Sequence, residues 1–191
     1  LKAKPEKVAT NVSSEHESKQ MRVQDLIASY RYRGHKRANL DPLGIMERPH
    51  MPNLELGYHH LSDADLEETF QTGGFHYEDG IAKLSDLIAA LQSTYCSSIG
   101  AEYMHIVDPA EQRWVQQRLE VSRSKPNFSS EQKKVILERL TAADGLEKYL
   151  QRRYPGTKRF GLEGGESLIP MLHELLQRLG SHGVLESVIS M

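Results

Sequence analysis

Along this chain apolar residues recur at helical spacing in one stretch after another, and the one segment that reads convincingly as a strand is residues 184–191. That pattern restricts the fold more than any other feature. A strand needs neighbours for its backbone hydrogen bonds, and a domain seldom closes with a single strand. A helix passing through glycine into a short Val/Ile-rich piece is how an α/β domain begins. The expected class is therefore mainly α in this segment: an N-terminal helical region leading into the first strand of an α/β domain whose remaining strands would follow Met191.

Local signals divide the chain further. Residues 1–20 are polar with no periodic apolar face, and read as a flexible arm. From Met21, Val23, Ile27 and Tyr30 share a helical face with Leu26 beside them, ending at Gly34. Leu40-Asp-Pro-Leu-Gly44 reads as a turn, because Pro42 biases Asp41 away from helical angles. Ser62, with Asp65 three residues on, signals a capped helix stopped by Thr72-Gly-Gly74. Ile81, Leu84, Ile88, Leu91 and Tyr95 mark the cleanest helix. Residues 102–107 read as a short extended piece. Asp108-Pro-Ala-Glu111 supplies a cap, a proline at the first helical position and an acid in the first turn, starting a helix whose apolar side carries Trp114, Val115 and Leu119. Another helix opens at Ser129 and places Ile136, Leu140, Ala143 and Leu150 on one side. After a charged, glycine-rich loop at 158–165, Leu168, Leu172, Leu175 and Leu179 share a face, with Pro170 tolerable only in the first turn. The expected organisation is an arm (1–20), a helical region (21–153), and a loop, helix and strand opening the α/β domain (154–191).

Charge is nearly balanced, with 24 Lys plus Arg against 26 Asp plus Glu, so no global case for a nucleic-acid coat exists. Locally, residues 1–48 carry ten basic and six acidic residues, whereas no Lys or Arg lies between Arg48 and Lys83, where seven acids occur. The plainer reading is attraction between these blocks within one protein; separate partner surfaces are the other. An aromatic–basic patch of Tyr30, Arg31, Tyr32, Arg33, Lys36 and Arg37 is of a kind single-stranded RNA uses, but no RNA-binding motif accompanies it. No run approaches the roughly 18–20 apolar residues of a membrane span. Cys96 alone permits no internal disulfide and reads as a buried, inert thiol. The nine histidines show neither HExxH nor Cys/His spacing. No nucleophile elbow, phosphate-loop or dinucleotide fingerprint is present.

Several blocks, in order, resemble the N-terminal region of the 2-oxoglutarate dehydrogenase E1 component. They are Tyr30-Arg-Tyr-Arg-Gly-His35, Ala38-Asn-Leu-Asp-Pro-Leu-Gly44, Glu102-Tyr-Met-His-Ile106, Arg113-Trp114 with Gln117-Arg-Leu119, and Leu146-Glu-Lys-Tyr-Leu150. The series ends in Lys158-Arg-Phe-Gly-Leu-Glu-Gly-Gly-Glu166 and Leu168-Ile-Pro-Met171. The resemblance covers residues 21–191. It implies a thiamin-diphosphate- and Mg2+-dependent enzyme that decarboxylates 2-oxoglutarate and passes the succinyl unit to a lipoyl group of the E2 dihydrolipoyl succinyltransferase. Homodimers are implied too, in the cytoplasm of a bacterium or the mitochondrial matrix of a eukaryote.

The family's principal catalytic, cofactor and metal residues have no counterparts in 1–191, so no activity is expected from this chain alone. Lys158, Arg159 and Glu163 are the candidates for the vicinity of the active centre. Either cation would face a substrate carboxylate or phosphate, while Glu163 would instead lock the loop through an ion pair; a purely structural role for all three stands beside this. His35 matches the family without a partner that marks it for proton transfer. Residues 45–51 carry too few acids for the calcium response of some animal relatives. Gly161 stands where the family loop commonly has Ser, which leaves the 2-oxoadipate enzyme open as a substrate variant. An E2-binding assembly module without catalysis is the competing reading.

Overall fold

A computed structural model describes residues 11–77 and 79–190. Contacts divide the chain into two units, Leu1–Pro126 and Asn127–Met191. The division falls inside the stretch expected as one helical region, because the helix beginning at Ser130 packs on the helix after the glycine-rich loop.

The first unit is organised by α1 (Asn11–Arg33) and α2 (Leu84–Tyr95). Val23, Leu26, Ile27 and Tyr30 of α1 meet Leu84, Leu87, Leu91 and Tyr95 of α2 in one buried cluster, every one of them at most 2% exposed. Gly34 sits where a Cβ would overlap Tyr95 Cβ, so the end of α1 can approach α2 only with glycine there.

Residues 11–20, expected as part of an arm, are helical; residues 1–10 of that expectation lie outside the described residues. Partners far along the chain explain the difference. Lys19 Nζ lies 2.7 Å from both Asp65 and Glu68, and the His16 ring stacks on Phe70 at 5.2 Å. Gln20 donates to Gln71 O and accepts from Gln71 N–H, at 2.9 and 2.8 Å. A polar helix with no apolar repeat is here held by hydrogen bonds and charge. The same contacts bear out the attraction between the basic opening block and the acidic block, of which Glu78 lies outside the described residues.

Two strands appear where helix was expected. The Ser62–Asp65 capping box forms, with Ser62 N–H donating to Asp65 Oδ2 at 2.7 Å, but it closes only a single 3-10 turn. The chain then extends into β1 (Thr69–Gln71), which pairs antiparallel with β2 (Ile81–Lys83), Phe70 opposite Ala82. Phe70 and Ala82 face the core, while Ile81, expected on the face of α2, is half exposed on the hairpin. Three-residue strands are too short to show alternation, so their pairing is set by Phe70 reaching the core.

The Asp41 turn forms as expected: its carboxylate accepts from the amides of Leu43, Ile45 and Met46, which hold it below the usual carboxylate range. Residues 103–106 are a turn, with Ile106 N–H donating to Tyr103 O, and not an extended piece. In α3 (Pro109–Ser122) Asp108 Oδ1 accepts from Ala110 and Glu111 N–H at 2.7 and 3.1 Å, as the cap signal requires. Val115 and Leu119 reach the core, but Trp114 is exposed with the Arg118 guanidinium 4.0 Å over its ring.

The second unit pairs α4 (Ser130–Arg153) with α5 (Leu168–Ser181). Ser129 and Gln132 form the capping box of α4, the helix runs unbroken through Gly145, and Pro170 lies in the first turn of α5. Neither helix has a buried residue; Phe128, Val135, Ile136, Leu140 and Met171 line an open groove of about 590 Å³ between them. Gly183, at φ +84°, lets Val184 N–H return to Leu179 O and ends α5. Residues 184–190 form no strand: Leu185 and Val188 are over nine-tenths exposed, and no partner strand is present among the described residues. Met191 lies outside them. The mainly helical class stands, while the expected last strand has no ladder among the described residues.

Candidate functional site

The loop following α4 carries the three residues singled out from the sequence. Helix α4 ends at Arg153, Thr157 N–H donates to Tyr154 O, and Arg159 turns back onto the helix it has just left. Its Nε lies 3.4 Å from Glu147 Oε2, its Nη1 donates to Glu147 O at 3.3 Å, and its Nη2 donates to Gln151 Oε1 at 3.2 Å and Glu163 Oε1 at 3.3 Å. Glu147 Oε1 also accepts from Leu162 N–H at 3.2 Å. Beyond this clasp, Gly165 N–H donates to Leu162 O at 2.6 Å and Leu168 N–H to Gly165 O, leading into α5.

Arg159 and Glu163 are therefore brought together, and the pair matches the loop-locking alternative for Glu163. Lys158 points elsewhere. Its Nζ lies 5.6 Å from the centroid of the exposed Phe160 ring, and among the described residues no carboxylate pairs with it. Arg159 is paired with Glu147 and Glu163, whereas Lys158 is the cation of the loop with no ion-pair partner among the described residues. Glu147 escaped the sequence reading because its partner lies twelve residues on, across a loop; its one local signal is a charge flanked by Leu146 and Leu150 on a helix.

In the first unit, a buried polar network carries the strongest electrostatics. Glu120, 1% exposed, accepts from Arg31 Nε at 2.8 Å and from Tyr95 OH at 2.7 Å through Oε1, while Tyr95 and Tyr103 share a hydrogen bond at 2.9 Å. Burial raises both phenols, Tyr103 to about 12, so each stays protonated as a hydrogen-bond partner at neutral pH. A cleft of about 370 Å³ beside the network is lined by Arg31, His35, Glu102 and His105 among others, with His35 Nε2 2.6 Å from Glu102 Oε1. His35 thus has a carboxylate close to its ring, from the residue just before the turn at 103–106. Arg31 follows Ile27 by one helical step of four, a sequence signal for a charge entering the core face. With Arg31 tied to Glu120 and Tyr30 buried, its OH donating to Leu54 O, the aromatic–basic patch is not a continuous surface.

Cys96 is partly buried beside the core, and burial pushes its thiol up to about 11. Among the described residues no three or more of His, Cys, Asp and Glu are grouped to hold a metal ion. Among the described residues no helix is long and apolar enough to cross a membrane.

No family model matches the chain. Curated relatives do. A 2-oxoglutarate dehydrogenase E1 component from Azotobacter vinelandii is 52% identical over 96% of the chain, covering 20% of that protein. Those from Cupriavidus necator and Haemophilus influenzae are 45% and 40% identical over 96% and 91% of the chain, covering 19% of each. The resemblance seen in the sequence blocks is borne out across nearly the whole chain, which spans about a fifth of the length of these relatives and corresponds to their N-terminal portion.

Proposed function

We propose that this chain is the N-terminal part of a 2-oxoglutarate dehydrogenase E1 component, and that the complete protein decarboxylates 2-oxoglutarate and hands the succinyl group to the lipoyl arm of an E2 dihydrolipoyl succinyltransferase. The observation that carries the reading is the likeness to proteins of that name, 52% and 45% identical over 96% of the chain. Thiamin diphosphate, which accepts the electron pair left by loss of carbon dioxide, and Mg2+ would be held by residues outside 1–191. The chain alone is inactive on this reading, and the complete enzyme is a homodimer, in the cytoplasm or the mitochondrial matrix according to its source.

Within the chain, Lys158, Arg159 and Glu163 are proposed to lie near the active centre. Lys158 is the residue offered to an anionic group, since the two other charges are committed to each other and to α4. The test is turnover of the complete polypeptide, loaded with thiamin diphosphate and Mg2+, on 2-oxoglutarate and 2-oxoadipate with an artificial electron acceptor. Turnover of 2-oxoglutarate is expected, with none from 1–191. Faster turnover of 2-oxoadipate would move the assignment to that substrate; turnover of neither would remove it. Calorimetric titration of E2 against 1–191 examines the assembly role separately, a salt-sensitive association being the supporting result.

A further inference from the structure

We infer that Glu147 is a positioning residue for the 158–166 loop: its carboxylate and its backbone oxygen clasp Arg159 and Leu162, fixing Lys158 as the loop's free cation towards a carboxylate or phosphate. The inference rests on the dehydrogenase reading and adds a residue to it. All three guanidinium nitrogens of Arg159 have partners within 3.4 Å: Glu147, Gln151 and Glu163. Three of its five N–H donors go to Glu147 O, Gln151 Oε1 and Glu163 Oε1, and its charge lies against the Glu147 carboxylate, so this guanidinium is committed to the protein's own groups before any ligand arrives. The Glu147 side chain is 15% exposed against 64% for Glu163, so Glu147 is the desolvated, rigidly placed half of the clasp.

The contacts on Arg159 all come from one helical turn of α4, residues 147 and 151, and from the loop itself. A site residue held through a helix is placed more accurately than one left on a free loop, and a misplacement near 1 Å costs about a hundredfold in rate. Gly161 belongs to the same device. A Cβ there would overlap the Glu163 carboxylate, so a side chain at 161 requires that carboxylate to shift, whereas the Glu147 contacts are untouched.

The experiment uses the complete enzyme with Glu147→Ala, Lys158→Ala and the double variant. In Glu147→Ala the Leu162 amide, which loses its acceptor, should exchange with solvent about tenfold faster, the equivalent of one modest hydrogen bond, while amides in the middle of α4 keep their wild-type rates. KM should rise about tenfold with kcat changed less than threefold, and the double variant should be no worse than Lys158→Ala, because Glu147 acts through the placement of Lys158. A rise confined to 2-oxoglutarate identifies the anion as the substrate carboxylate; one confined to thiamin diphosphate identifies the diphosphate. Unchanged Leu162 exchange overturns the clasp, and faster exchange with unchanged KM for both, or additive losses in the double variant, overturns the positioning role. If the wild-type enzyme turns over no 2-oxo acid, the dehydrogenase reading and the role towards substrate fall together, while Leu162 exchange still decides whether Glu147 holds the loop.

Discussion

Replacing Glu120 by Gln keeps the shape of a side chain that is 1% exposed but deletes the charge opposite Arg31, whose own side chain is 14% exposed. The carboxylate takes a 2.8 Å contact from Arg31 Nε, a 2.7 Å hydrogen bond from Tyr95 and a 3.3 Å one from His76 N–H. Gln retains one acceptor oxygen and leaves a guanidinium largely out of water without its counter-charge. Breaking a buried pair from one side costs about 3–5 kcal/mol, whereas an exposed pair such as Lys148–Asp144 is worth about 0.3–0.5 kcal/mol. At roughly 3 °C per kcal/mol for a unit of this size, Tm should fall by about 10 °C or more. The chain's one tryptophan, Trp114, lies on α3 six residues before Glu120, so its fluorescence in urea or on heating reports on the first unit alone. The double variant Arg31→Met with Glu120→Leu removes both charges and should recover more than half of the loss, because the cost lies in the orphaned ion and not in the absence of the pair. A Glu120→Gln loss below about 1 kcal/mol, or a double variant no more stable than the single one, would refute this account.

Gly34→Ala should destabilise the same unit by about 1–3 kcal/mol in the Trp114 assay, since the added methyl meets the Cβ of Tyr95 across α1 and α2. Asp65 is held below its ordinary value first by the hydrogen bond from Lys19. Its contribution is therefore complete above about pH 4, the unfolded value, and lost as pH falls through the depressed folded one; Asp65→Asn should flatten the acid limb of stability against pH, and an unchanged limb would dismiss the Lys19 link. Burial raises Cys96 to about 11, so a thiol reagent at pH 8 should label the native chain far more slowly than the urea-unfolded one. Equal rates would place that thiol in solvent.

Much of the helical framework could be read from residues alone because its causes are local. The Asp108-Pro109 start, the Ser129 box, the turn built on Asp41 and the first-turn Pro170 each depend on groups within five residues, and all four formed. Likewise Val23, Leu26, Ile27 and Tyr30 declare a face by spacing and are buried on it. The blocks carrying the resemblance to the E1 component were equally plain as linear text.

What lay beyond reach was set by partners distant in sequence. Residues 11–20 looked like an arm until Asp65, Glu68, Phe70 and Gln71 held them as helix. Thr69–Gln71 is strand because Ile81–Lys83 lies beside it, and residues 184–190 lack strand because no other strand among the described residues pairs with them. In the loop, order alone made Lys158 and Arg159 equivalent cations. Only folding gave one of them to Glu147 and left the other free, since an ion pair is decided by where two charges come to rest in space and not by how far apart they stand along the chain.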